Sequence, residues 1–333
     1  LCHCISNNNN NIIINLICNA LFIQKNLRMF QVQLTAEGPL TKLLVAVFMS
    51  ALFISVNSIM FVTLRSKAVF RDTPRYVLFA HMLCNDSIQL LFSSLMYIIS
   101  LCYVQVAKAV CSILILVTAS TSRNAPINLA VMSLERYVAI CFPLRHGEIA
   151  TKRRTGAAIS VIWFFGAVNP IIDILYTSAT DPTFFGERMF CTRERIFTAP
   201  WQRELFEGLN AFYFVAVTLI IVFTYISVMV AARSASSNKE SAKKAHSTLL
   251  LHLIQLGLCL NTLVFGSIER LLAMTSSSRL FMDLRYVNFL LVLILPRCLS
   301  PLIYGLRDDT VRPLFLFYLQ CGAQKVKPSV TAH

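Results

Sequence analysis

The strongest constraint on this chain is a series of seven segments of nearly uninterrupted apolar sequence. An α-helix needs about 20 predominantly apolar residues to cross the hydrocarbon core of a bilayer. We therefore predict an all-α membrane protein, a bundle of seven transmembrane helices. The segments are 43–64, 76–106, 109–134, 156–180, 208–232, 247–268 and 286–306.

Composition supports the membrane interpretation. Charged residues make up only 14% of the chain, whereas a typical soluble domain has about 25%. Because these few charged residues cannot cover a globule of this size with polar surface, lipid must be the solvent for much of the chain. The net charge of +14 could suit a nucleic-acid-binding protein. Here, however, the charges crowd into short stretches between the apolar segments, and we expect no nucleic-acid partner.

The distribution of Lys and Arg predicts the orientation in the membrane. Basic residues collect in the first, third and fifth connections and in the C-terminal tail, whereas the connection after the fourth segment mixes arginines with acids. Because basic loops stay on the cytoplasmic side, we expect the N-terminus outside and the C-terminus inside. The basic residues include Arg65, Lys67, Arg153, Arg154, Lys243, Lys244, Arg312 and Lys325.

The two ends of the chain flank the predicted bundle, which we place at 40–306. We expect 1–39 to be extracellular, with 1–28 an over-extended gene model that precedes a natural start at Met29. Residues 307–333 form the predicted cytoplasmic tail. Within it, the segment Arg307–Leu319 alternates charges with Leu, Phe and Tyr, which predicts an amphipathic helix along the membrane surface. Cys321, just beyond, is a candidate for palmitoylation.

The most specific motif closes the third apolar segment. It reads MSLERYVAICFPL from Met132 to Leu144, with Glu135 beside Arg136. An acid next to an arginine at a helix end gives a charge that its neighbour can hold or release to a partner. The stretch is similar to the MAxDRYVAICxPL string of odorant receptors, a branch of the rhodopsin-like receptors. The resemblance implies that Glu135 restrains Arg136 at rest and that Arg136 helps to seat a G protein.

Further landmarks fall in the order that this family requires, over roughly residues 40–320. Fish odorant receptors are the most similar type. The second apolar segment carries Asp86, and SPLIYGLR from Ser300 resembles the family's NPxxY, although Ser300 replaces the usual Asn or Asp. Cys111 and Cys191 resemble the family's cross-linked pair, with Cys102 as a competing partner. The other landmarks are Asn57, Trp163, Tyr225, the Lys244-Ala245-His246-Ser247-Thr248 segment, Pro301 and Tyr304.

The resemblance implies an odorant receptor. Such a receptor binds a small odorant within the bundle and activates a heterotrimeric G protein, which we expect to be stimulatory and to raise cyclic AMP. Its expected place is the plasma membrane of olfactory cilia. The alternatives are a rhodopsin-like receptor for a non-odorant small molecule, peptide or lipid, and, from another class, a channel or transporter. No catalytic, metal or phosphate-binding motif is legible, so we expect no enzyme, metal or cofactor.

Residue types and spacing suggest where the odorant and the G protein bind. Thr118 and Ser122 share one face of the third helix, with Arg123 beside them. Thr118 stands where amine receptors carry an Asp, which counts against an amine ligand. Arg123 faces either the pocket, favouring an anionic or zwitterionic odorant, or Asp173. The ligand candidates are Thr118, Ser122, Arg123, Phe212, Tyr213, Asn261, Phe265 and Glu269. The candidates for coupling and activation are Glu135, Arg136, Tyr137, Tyr225, Lys244, Pro301 and Tyr304.

Arg297 is the charged residue of the seventh segment and lies near one face with Pro301 and Tyr304. In rhodopsin-like receptors that face looks toward the second helix, where Asp86 is the only acid. A buried carboxylate needs a cation or a proton, and in many relatives a sodium ion serves. We hypothesise that Arg297 pairs with Asp86 in place of sodium. The expected intramembrane polar network is Asn57, Asp86, Arg297 and Ser300.

Overall fold

The computed structural model describes residues 39–319 apart from Tyr103, 236–256, Cys259, 262–267, 269–270, 272–283, Arg285 and Asp309. Several predictions fall outside these residues. They are the N-terminal segment 1–28, Lys244, Phe265, Glu269, Cys321 and most of the sixth apolar segment. The side chain of Tyr304 is also outside the description.

Within the described ranges, five helices are long and apolar enough to cross a membrane. They confirm the first five predicted segments as helical. In lipid, a helix satisfies its backbone hydrogen bonds internally, which is why such apolar runs fold this way. The helices are α1 Pro39–Ser66, α2 Pro74–Leu101, α3 Lys108–Cys141, α4 Lys152–Thr180 and α5 Pro200–Ala235.

The seventh predicted segment is also helical. A π-helical stretch, Phe289–Ile294, leads into the α-helix Leu295–Arg307. The apolar part of this region, Tyr286–Leu302, is shorter than the five long helices. Short helices at Ala68–Asp72 and His146–Ile149 lie in the connections between α1 and α2 and between α3 and α4.

Helix α3 is the central element, because it packs extensively against α2, α4 and α5. One apolar cluster joins these helices and includes Leu83, Leu129, Val217 and Ile221, all nearly inaccessible to solvent. Polar side chains are buried along the same helix, among them Asn124 at 0% exposure. Helix α3 therefore carries both the apolar core and the polar groups considered below.

Three boundaries of the first five predicted segments differ from the structure by five residues or more. Helix α2 ends at Leu101, and Gln105–Ala107 forms strand β1, antiparallel to strand β2, Arg188–Phe190. The second apolar run is longer than one span, and its excess residues pair as a strand. Helix α3 continues to Cys141 rather than ending at Leu134, and α5 begins at Pro200 rather than Gly208. Both extensions carry charged residues, and a prediction from apolar sequence alone ends a membrane span at such residues.

The predicted tail helix begins at Arg312 rather than Arg307, because Arg307 completes the preceding helix. Between the two helices, the Asp308 side chain accepts hydrogen bonds from the backbone N–H groups of Thr310 and Val311, at 3.0 and 3.2 Å. The helix Arg312–Leu319 buries Phe315 at 1% exposure. The tail helix is therefore held to the rest of the fold by an apolar contact.

Candidate functional site

Arg123 is a buried cation at the meeting point of three helices. Its side chain is on α3 and is 3% exposed. Nε donates to Oδ1 of Asn210 on α5 at 3.1 Å, and Nη2 donates to Oδ1 of Asn169 on α4 at 2.7 Å. The Arg123 guanidinium thus ties α3 to α4 and α5 through neutral amide oxygens.

Asp173, one turn beyond Asn169 on α4, takes a different arginine as its partner. Arg193, in the loop between β2 and α5, lies 3.2 Å from Asp173 Oδ2. Arg193 also donates to Asn169 Oδ1 at 3.0 Å. The sequence alone allows Arg123 to face either the pocket or Asp173. In the structure the ion pair of Asp173 is with the loop arginine, and Arg123 bonds to asparagines.

A disulfide fixes the loop that carries Arg193. Cys111, in the first turn of α3, is bonded to Cys191, which confirms the predicted pair. The strand pair β1–β2 lies just before these two cysteines in the chain. Gln202 of α5 is fully buried and accepts from the backbone of Thr198 and Ala199 at 2.9 and 3.1 Å. The loop is thus anchored on both sides of Arg193.

An aromatic ring lies against the two guanidinium groups. The Cζ atom of Arg193 is 3.7 Å from the ring centroid of Phe206, and that of Arg123 is 5.1 Å away. Such cation–π contacts are favourable, and more so in a desolvated setting. Phe206 on α5 therefore forms an apolar wall beside the charged cluster of Arg123, Asn169, Asp173 and Arg193, which we call the arginine cluster.

The other predicted ligand residues are scattered. Thr118 and Ser122 are half-buried on α3, and Thr118 bonds to the carbonyl oxygen of Leu114 at 2.9 Å. Tyr213 is buried and donates to the carbonyl oxygen of Phe165 at 3.0 Å. Phe212 is 63% exposed and Asn261 is also exposed. The structure thus brings Arg123 into a polar cluster but leaves Phe212 on the outside.

Sequence reasoning missed Asn169, Arg193, Phe206 and Asn210. A signal for Asn169 existed, since it is a polar residue inside an apolar segment and one helical turn from Asp173. Arg193 gave no such signal, because it stands among other charged residues of a loop. Within the described ranges, no group of three His, Cys, Asp or Glu side chains could hold a metal ion.

At the opposite end of α3, Glu135 and Arg136 face different surroundings. Oε1 of Glu135 lies 3.1 Å from Nε2 of His146, within hydrogen-bonding distance. Arg136 is half-buried. The ring of Tyr137 packs edge-on against Phe142 and Phe223, with centroids 5.7 and 5.4 Å away. Tyr225 on α5 is half-buried.

A third polar group lies between α2 and the helix Leu295–Arg307. Nε of Arg297 is 4.0 Å from Oδ1 of Asp86, and both side chains are almost fully buried. Ser300 donates to the other carboxylate oxygen, Oδ2, at 3.2 Å. Asn57 on α1 is buried at 1% exposure. The two charges are therefore in ionic contact, at a distance longer than a hydrogen bond.

Comparison with known proteins is consistent with this architecture. The family model of the seven-transmembrane receptors of the rhodopsin family matches residues 56–304. Odorant receptor 131-2 of Danio rerio is 36% identical over 283 residues, which cover 83% of this chain and 86% of that receptor. The chain belongs to the odorant receptors of the rhodopsin family. It is thus a receptor and not an enzyme.

More distant odorant receptors match over variable lengths. Olfactory receptor 5P52 of Mus musculus is 24% identical over 84% of this chain and 91% of its own length. Olfactory receptor 2M3 of Homo sapiens is 28% identical, but the match covers only 58% of this chain and 62% of that receptor. Of these three receptors, the fish receptor shares the highest identity with this chain, whereas the mouse receptor is matched over a slightly larger share of both chains.

Proposed function

We propose that this odorant receptor binds a small odorant at the arginine cluster and responds by activating a heterotrimeric G protein of the stimulatory type, which raises cyclic AMP. The observation that carries the proposal is the buried, charged arginine cluster between α3, α4 and α5. Ionisable groups inside a membrane protein are costly and mark functional sites. The family match supports a ligand and a G protein as partners.

Helix α3 would link the two sites. Arg123 and Arg136 lie on the same continuous helix, Lys108–Cys141, so that a rise of 1.5 Å per residue puts about 20 Å between them. A ligand shifts the resting and active populations only if it binds one arrangement better than the other. A ligand that changes how α4 and α5 meet Arg123 would do so, because those contacts hold the three helices together.

The G-protein site is proposed at the end of α3 that carries Glu135 and Arg136. Restraint of Arg136 by Glu135 stays a prediction, and the contact of Glu135 with His146 suggests that this loop histidine takes part. The remaining proposed members are Tyr137, Tyr225, Lys244, Pro301 and Tyr304.

We also propose the complete architecture and its placement. Seven transmembrane helices over 40–306 would leave 1–39 outside the cell and 307–333 in the cytoplasm, with the receptor in the plasma membrane of olfactory cilia. The family match over 56–304 and the five membrane-length helices support this arrangement.

The test is a screen in cultured cells that carry a cyclic-AMP reporter. Cells expressing the receptor receive a panel of water-soluble odorants, and cells expressing Arg136→Ala at equal surface density serve as the control. A dose-dependent rise in cyclic AMP in the first cells alone supports the proposal. Responses to peptides or lipids, with none to any odorant, would assign the receptor to another ligand class.

A further inference from the structure

Three buried polar atoms on the α3 and α4 residues of the arginine cluster have no hydrogen-bond partner within the described part of the chain. They are Nη1 of Arg123, Nδ2 of Asn169 and Oδ1 of Asp173. The three residues are 3%, 0% and 3% exposed, respectively. Buried polar groups are nearly always hydrogen-bonded, because an unmatched one loses its hydration without compensation. Two donors and one acceptor are therefore left in one place.

The orientation of Asn169 is fixed by its neighbours. Its Oδ1 accepts from Arg123 at 2.7 Å and from Arg193 at 3.0 Å. The amide nitrogen must then point elsewhere, and it remains a donor beside Arg123. Sharing one oxygen also keeps the two guanidinium groups close together, and the single carboxylate of Asp173 offsets only one of these two like charges.

The two arginines of the cluster differ in whether a carboxylate is bound to them. Asp173 has Arg193 as its ion-pair partner at 3.2 Å. Among the described residues, Arg123 donates to the neutral oxygens of Asn169 and Asn210. Arginine keeps its charge in any plausible protein environment, and a buried charge without an opposite charge is unfavourable. The missing group is therefore an anion with acceptor oxygens.

We propose that the arginine cluster binds the carboxylate of a small organic acid. Its two oxygens accept hydrogen bonds from Nη1 of Arg123 and Nδ2 of Asn169, as carboxylates do from arginine in charge-assisted pairs. The apolar part of the acid lies against Phe206. Oδ1 of Asp173 accepts from a hydroxyl or ammonium group next to the carboxylate, where the ligand has one. This ligand class rests on the proposed function, since it describes the same site.

The first experiment needs no variant. Purified receptor is heated with linear carboxylates from butanoate to decanoate, with their primary amides and with the α-amino acids of the same chain lengths. Carboxylates are expected to raise the unfolding midpoint, and amides of equal length are not. Tighter binding of the α-amino acids identifies Asp173 as the ammonium acceptor. Amides that bind as tightly as the acids would overturn the proposal.

The second experiment uses Arg123→Gln, which keeps hydrogen-bonding capacity and removes the charge. Affinity for the best acid should fall about ten- to a hundredfold, the usual effect of losing hydrogen bonds to a charged group. Arg195→Gln removes an exposed arginine from the loop that carries Arg193. This control variant should bind the acid like the wild type. Unchanged affinity in Arg123→Gln contradicts the proposal.

The two proposals fail in different ways. Acids that bind through Arg123 without any cyclic-AMP response refute the signalling function and leave the carboxylate site standing. A receptor that signals to neutral odorants and binds no acid keeps its function and refutes the carboxylate site.

Discussion

At the residue scale, the receptor has two buried arginines among its described residues, both in apolar helices, where a charged side chain is costly. Arg123 and Arg297 are 3% and 1% exposed. The first is surrounded by amides and an aromatic ring, whereas the second lies 4.0 Å from the carboxylate of Asp86. A carboxylate offsets the charge of a buried cation, whereas neutral amides provide hydrogen bonds but no opposite charge. We therefore expect Arg297 to be satisfied by the protein and Arg123 to be completed by a ligand.

The Asp86–Arg297 pair gives the first prediction. Asp86→Asn removes the carboxylate from a buried guanidinium and should lower the free energy of unfolding by about 3–5 kcal/mol. Ser300→Ala, which removes only the hydroxyl that donates to the same carboxylate, should cost about 1 kcal/mol. Both are measured by thermal unfolding of purified receptor.

The same pair predicts how the receptor responds to sodium. Because a guanidinium already lies beside Asp86, replacing sodium with choline should leave the unfolding midpoint of the wild type unchanged. A midpoint that rises with sodium concentration would mean that Arg297 does not take the place of the cation.

Arg136 gives the second prediction. Arg136→Ala should reach the cell surface at the wild-type level and lose the cyclic-AMP response, because the half-buried guanidinium is expected to bind the G protein rather than to hold the fold. Surface labelling and the reporter assay measure the two properties. Arg153→Ala, which removes an exposed arginine from the first turn of α4, serves as the control. Lost surface expression would instead indicate a structural arginine.

At the element scale, the contact between α3 and α4 depends on one glycine. A Cβ atom on Gly166 would lie 2.0 Å from the side-chain amide of Asn124. That amide is fully buried and sits between the carbonyl oxygens of Ser120 and Ile162, at 3.1 and 3.0 Å. The close approach of the two helices thus requires a residue without a side chain.

The third prediction follows from this packing. Gly166→Ala should destabilise the receptor by about 1–3 kcal/mol, as overpacking usually does. Gly156→Ala is the matched control on the same helix, since nothing lies within 4 Å of its added Cβ. The control should be neutral or slightly stabilising, because alanine favours helix. The unfolding midpoints of both variants measure these effects. Equal losses of stability in Gly166→Ala and Gly156→Ala would contradict the packing argument.

The fourth prediction concerns the connection that follows α4. Lys108, at the start of α3, forms an ion pair with Asp181 and lies 3.5 Å from Glu187. The hydrogen bond from Lys108, followed by two from Thr183, lowers the pKa of Asp181 from 3.8 to about 2. A lowered carboxylate pKa stabilises the folded state above the unfolded pKa and loses that contribution as pH falls toward the folded pKa.

The stability curves of wild type and Asp181→Asn should therefore differ most at neutral pH and converge between pH 3.8 and about 2. Glu187→Gln is the control, since its contact with Lys108 is longer and it is half exposed. Unfolding midpoints measured at several pH values test this. A constant gap between wild type and Asp181→Asn down to the lowest pH would contradict the ion pair's contribution.

Sequence reasoning predicted the helices better than the contacts. Apolar runs identify membrane helices because lipid selects for them, and the disulfide followed from the family resemblance. Gln105 and Val106 of the strand Gln105–Ala107 lay inside a predicted helix, because a short apolar run looks the same in either state. The partners of Arg123 could not be predicted, because helical spacing shows which residues share a face but not which neighbouring helix that face meets.

At the scale of the whole molecule, the two ends of the helices differ in charge. The first turn of α4 contains Lys152, Arg153 and Arg154, whereas the connection after the helix places acids beside its basic residues, as in the Lys108–Asp181 pair. Basic loops resist translocation, and acids contribute little to orientation. The asymmetry on either side of α4 therefore favours one orientation for this helix.

The last prediction tests that orientation with two glycines that flank α4. Gly147 precedes the helix, Gly186 follows it, and an added side chain meets nothing within 4 Å at either position. The background for labelling replaces with serine the cysteines of the two terminal segments and of the C-terminal ends of α2 and α3, which are Cys2, Cys4, Cys18, Cys102, Cys141 and Cys321. In this background, Gly186→Cys should react with a membrane-impermeant maleimide on intact cells. Gly147→Cys should react only after permeabilisation. Labelling of both on intact cells would mean that α4 does not cross the membrane, and the reversed pattern would place the N-terminus in the cytoplasm.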